Sequence, residues 1–165
     1  QTKPGEVFAV RNVANLVPPY SPDKGHHGVS AAIEFGVLDL NIKHIIILGH
    51  AHCGGIKALC NNFNSDINVS SPKNKQREFI DSWMDIASPI MDKVASKNAS
   101  EDLQHFIEKE SIKNSILNLK TFPWVIKLIN NKELNVHGWW FDLKSGEIFG
   151  FDEEKNDFVN INNDH

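Results

Sequence analysis

The chain has 165 residues, of which 41% are hydrophobic and 23% charged, and a net charge of −4. Those values fit one globular domain with a real core; they argue against nucleic acid as a partner, and no apolar run reaches the ~20 residues of a membrane span. Two cysteines, Cys53 and Cys60, are too few for a disulfide scaffold and point to a reducing, cytoplasmic setting.

In chain order, Glu6 to Val10 reads as a short apolar strand that ends at Arg11. A charged side chain leaving a buried strand needs a partner, so Arg11 is either a structural hydrogen-bond hub or an anion-binding residue. Leu16 to Pro22 contains three prolines and is a connecting loop. Gly25 to Leu40 reads as a helix through Val29, Ile33, Val37 and Leu40. Phe35 lies off that line, either in the core or at the edge of a pocket. His26 and His27 read as solvated. His44 to Leu48 is a second strand, so residues 7–50 are expected to form a βαβ unit with a parallel pair.

Asn61 to Lys75 is polar and reads as an inserted loop. Helical patterns follow over residues 76–96, broken at Ser88-Pro89, then from Ser100-Glu101-Asp102 to Leu119, and from Phe122 to about Asn130. Glu133 to Leu143 is a strand, Lys144-Ser145-Gly146 a turn, and Glu147 to Phe151 an antiparallel return strand at the sheet edge. His137 and the two tryptophans after it are assigned to the core. Residues 152–165 read as a loosely held tail on a single domain spanning 1–165.

The stretch with the most chemistry in it is 43–60. The apolar strand ends at Gly49, His50 and Cys53 follow three positions apart, and Gly54 and Gly55 open a helix. A strand feeding a tight turn and a helix is where α/β proteins place their chemistry. Imidazole and thiolate are zinc donors, and the glycines let the backbone pass close to a ligand. The alternative is a hydrogen-bonded strand-end histidine beside a small core cysteine. A third reading pairs His50 with His52, as in metallohydrolase barrels, but that architecture takes roughly 250 residues.

Four collinear segments resemble the β-class carbonic anhydrases, nearest the plant-like branch: Pro4 to Phe8, Arg11 to Pro19, Ser30 to Phe35 and Gly49 to Gly55. The later His137-Gly138-Trp139 strand with its hairpin matches too. The resemblance implies an α/β fold around a mostly parallel sheet flanked by helices, with an antiparallel C-terminal edge hairpin. It implies reversible hydration of carbon dioxide to bicarbonate and a proton, in a homodimer or higher oligomer. It also implies zinc held by two cysteines and one histidine, of which His50 and Cys53 would be two. Phe8, Phe35 and Gly54 would line the substrate pocket, and Arg11 would help bind bicarbonate.

The family's other zinc cysteine and its catalytic Asp–Arg dyad lie in a C-x-D-S-R motif upstream of the Pro-Gly-Glu segment, where this sequence begins. The resemblance therefore implies a piece without its first central strand, without a catalytic dyad and with half a zinc shell, inactive as it stands. Two other functions share the fold: a zinc hydrolase of a small carbon–sulfur compound, and a non-catalytic interaction module.

Overall fold

The computed structural model describes residues 2–60, 77–94 and 101–161. The expected loop at 61–75 and the proposed cap at Ser100 lie outside them. The first regular element is a 3-10 turn, Val13–Asn15. Helix α1 spans Gly28–Glu34 and runs into a π-helical segment, Phe35–Asp39, closed by Leu40 N–H to the Phe35 carbonyl at 3.1 Å. Asn41, at φ 52°, then ends the helix in the left-handed region. Strand β1 is His44–His50, where three successive isoleucines favour extended backbone. Residues 54–60 form helix α2.

The broken helix expected at 76–96 is α3, Ile80–Met84, a 3-10 turn at Asp85–Ala87, and α4, Ser88–Val94. Helix α5 is Glu101–Leu119, and α6, Pro123–Asn130, starts on a proline whose missing N–H costs nothing in the first turn. Strands β2, Asn135–Phe141, β3, Ile148–Asp152, and β4, Asp157–Asn160, complete the chain. None of the described helices is long and apolar enough to cross a membrane.

The four strands form one sheet in the order β1-β2-β3-β4. β1 and β2 are parallel, from His44 opposite Asn135 to His50 opposite Phe141. β2–β3 and β3–β4 are antiparallel. The α/β class and the C-terminal hairpin are as expected, but two expectations are corrected. The sheet is mixed rather than mostly parallel, because residues 7–10 form no strand. Val7, Phe8 and Val10 are 61%, 46% and 48% exposed, and apolar sequence without a partner strand gives the backbone no ladder to join. The supposed loose tail is also wrong for its first half. Phe158 is buried and anchors β4 to β3, while 162–165 lie outside the described residues.

Helix α5 packs on one face of the sheet, over a trough made by two glycines. A Cβ on Gly49 would lie 2.8 Å from the Ile112 Cδ1, and one on Gly138 would lie 2.7 Å from the Ile112 Cγ2 and 2.8 Å from the Ile116 Cδ1. With Val37, Ile47, Phe122 and Trp140 these isoleucines make the main core. A second cluster gathers Leu16, Cys53, Ile56, Met84, Ile90 and Ile107 around α2, α4 and the start of α5. Among the described residues the other sheet face is left open. Ile46 and Leu48 are 46% and 54% exposed there, and the half-buried His137 shares that face instead of the core assigned to it.

Candidate metal centre

β1 delivers His50 to the end of the sheet, and the parallel ladder extends one step further, with Ala51 N–H bonded to the Phe141 carbonyl at 2.8 Å. The chain then turns through His52, at φ 57°, after which Cys53 is buried and α2 begins at 54. His50 is exposed and Cys53 is 6% exposed. His50 Nδ1 lies 2.9 Å from the Ala51 carbonyl. A carbonyl only accepts, so the proton sits on Nδ1 and the Nε2 lone pair is left for a ligand. A backbone carbonyl behind an imidazole is a common way to orient a metal-ligating histidine.

Cys53 is held from beneath by a residue the sequence reading passed over. Glu108, on α5, is 1% exposed. Its Oε1 accepts Cys53 N–H at 2.9 Å and the Gln104 amide at 3.0 Å, and its Oε2 accepts the Trp140 indole N–H at 3.3 Å. A buried carboxylate with three donors is satisfied rather than stranded. Cys60 is half-buried. Burial, and then the nearby Glu108 charge, push its thiol pKa up, so it is a poor source of a further thiolate.

Phe8 and Phe35 are brought together, with ring centroids 5.9 Å apart, each about half exposed. Phe8 also lies against Gly36, within 3.5 Å of where a Cβ would sit. Arg11 is exposed, at the start of a segment that α5 clamps in place. Asn15 Nδ2 donates to Ser111 Oγ at 3.2 Å, Ser115 Oγ donates to the Asn15 carbonyl and accepts Val17 N–H, and Asn118 donates to the Val17 carbonyl. Trp83 adds an indole N–H to the Val13 carbonyl at 2.9 Å. The clamp leaves Ala14 and Asn15 both at positive φ and presses Val13 and Ala14 against Gly55, where a Cβ would sit 2.8 Å from Val13 Cγ1. Gly55 is therefore needed for close approach, whereas Gly54 is exposed with open space around it.

A family model described as "Carbonic anhydrase" matches residues 1–148. The chain belongs to the carbonic anhydrase family. It is 37% identical over 144 residues to "Beta carbonic anhydrase 6, mitochondrial" of Arabidopsis thaliana, an alignment that takes in 86% of this chain and 47% of that protein. The chain thus spans about half the length of that curated relative. Its fold is that of the β class. It superposes on the β-carbonic anhydrase CcaA with a TM-score of 0.79 at 28% identity, covering 96% of this chain and 73% of the other. A structure from a study of two tetrameric β-carbonic anhydrases of Sordaria macrospora gives 0.69 at 26%, covering 90% and 69%.

β-class carbonic anhydrases are zinc enzymes, and His50 Nε2 and the Cys53 thiol are donors of the right kind. The number of donors falls short: among the described residues no group of three or more His, Cys, Asp or Glu side chains could hold a metal ion. These residues supply two of the four donors a tetrahedral site takes and do not complete one.

Proposed function

We propose that this chain is part of a zinc-dependent carbonic anhydrase that interconverts carbon dioxide and bicarbonate, with His50 and Cys53 as two of its zinc ligands. The observation that carries the reading is the turn at 50–53, which sets His50 Nδ1 against the Ala51 carbonyl and fixes Cys53 through Glu108. Zinc in such a site supplies hydroxide near neutral pH by lowering the pKa of bound water to ~7. The rest falls to the chain. The Phe8–Phe35 pair offers an apolar wall for carbon dioxide, Gly54 leaves room beside the metal turn, and Arg11 offers a cation to bicarbonate.

The remaining protein ligand and the proton-handling residues come, in this reading, from outside the described residues, and the 165-residue chain alone has little hydration activity. The apolar open face and the tetrameric relatives favour assembly with further copies, as a dimer or more. Its two cysteines fit a reducing compartment such as the cytoplasm.

The test has two readouts. In the longer parent protein, Cys53→Ser should remove stoichiometric zinc and, with it, stopped-flow hydration. The 165-residue chain should hold well under one zinc and hydrate slowly. Zinc retained in the parent Cys53→Ser variant removes Cys53 from the site, and full activity of the short chain overturns the need for outside ligands.

A further inference from the structure

His44 opens β1, and His137 is the third residue of β2. The parallel register sets Ile46 opposite His137, so the two imidazoles are diagonal neighbours on the open sheet face. Their rings stack at 26° with centroids 5.3 Å apart, and His44 Nδ1 lies 3.1 Å from His137 Nε2. Two ring nitrogens at that distance share either a hydrogen, with the N–H of one neutral ring donating to the lone pair of the other, or a cation that takes both lone pairs.

We propose that His44 and His137 form a two-imidazole site for a divalent transition cation of the Ni2+ or Cu2+ kind, separate from the His50–Cys53 centre. The geometry is already close to what a cation needs. Metal–imidazole bonds of ~2.0–2.1 Å closing a gap of 3.1 Å subtend about 98°, between the square-planar and tetrahedral angles. Imidazole is the donor these metals share. Each ring is anchored on a strand of the sheet, so little orientation is left to be lost on binding. Burial, and then the neighbouring His44, hold the His137 pKa below the usual imidazole range, which leaves its lone pair free of a proton at neutral pH. In the single chain His44 is exposed and His137 half-buried, which leaves room for water at the remaining coordination positions. Along β1 the site lies six residues from His50, ~20 Å at the rise of a strand. A cation there would tie β1 to β2 at the end of the ladder opposite the metal turn.

The test is a Ni2+ titration of the full chain, followed by calorimetry and by quenching of tryptophan fluorescence, since the Trp139 ring lies 6.3 Å from that of His137. One equivalent should bind in the wild type and in Cys53→Ser. His44→Gln and His137→Gln should each weaken that equivalent at least about tenfold, the scale on which even the partners behind metal ligands act. Adding the second substitution to the first should change little more. His44 is exposed at a strand end, so His44→Gln decides the matter even if His137→Gln fails to fold. Unchanged Ni2+ affinity in His44→Gln, loss of the equivalent in Cys53→Ser, or no saturable binding at all would each overturn the assignment.

Discussion

Glu108 makes the sharpest claim on the metal turn. Its two oxygens face different donors: Cys53 N–H with the Gln104 amide on one, and the Trp140 indole on the other. Glu108→Gln keeps the shape and replaces one oxygen by an NH2 group. Whichever way the amide is set, one buried donor then faces another donor. A buried donor left without its acceptor costs about 1–3 kcal/mol. At this chain length each kcal/mol moves the melting temperature by about 2–4 °C, so a fall of roughly 2–12 °C is expected. The second readout is Cys53 itself. In a Cys60→Ser background, alkylation of the buried thiol should speed up by about tenfold for every 1.4 kcal/mol by which the turn is loosened. A melting temperature within about 1 °C of wild type, together with an unchanged alkylation rate, would refute the view that Glu108 holds the turn.

Two further expectations test the scaffold around it. Gly138→Ala drives a methyl group to 2.7 Å from Ile112 and 2.8 Å from Ile116, and should cost about 1–3 kcal/mol in urea unfolding; an unchanged midpoint would mean that the glycine trough under α5 is not tight. Glu110 is expected to make stability depend on pH. Burial pushes its carboxyl pKa up, but the ammonium groups of Lys93 and Lys113, at 2.7 and 3.0 Å, outweigh that and hold it below the ordinary range. Its folded-state value is therefore depressed. The contribution is present above the unfolded value near ~4.3 and is lost as pH falls through the folded one. The acid limb of a stability–pH curve should accordingly flatten in Glu110→Gln, and an unaltered limb would assign the acid sensitivity to other carboxylates.

The residues spoke clearly where the cause is local. The run of isoleucines ending at Gly49, the glycines after Cys53, the proline that opens α6 and the turn at 144–146 all announce their elements through backbone preference or periodicity, and each is found. Residues 7–10 misled because their apolar pattern describes a strand waiting for neighbours, and β-structure is a property of pairs. β4 was missed for the converse reason. Its acidic, asparagine-rich setting looks like tail, but a single phenylalanine and an antiparallel neighbour suffice to hold it. Glu108 was overlooked because helix α5 was read only for its apolar residues. Glu108, Ser111, Ser115 and Asn118 recur at helical spacing, and that polar stripe is the face that grips the metal turn and the segment after Arg11.

His50 and Cys53 are neighbours in the chain, yet the residues near them in sequence do not set their geometry alone. The turn between them is pinned by the Phe141 carbonyl at one end and the Glu108 carboxylate at the other, ninety and fifty-five positions away. A peptide cut from residues 43–60 would carry both donors and neither anchor. The motif can be copied into another protein as text, but its aim cannot: what transfers is the imidazole and the thiol, while their direction belongs to β2 and α5.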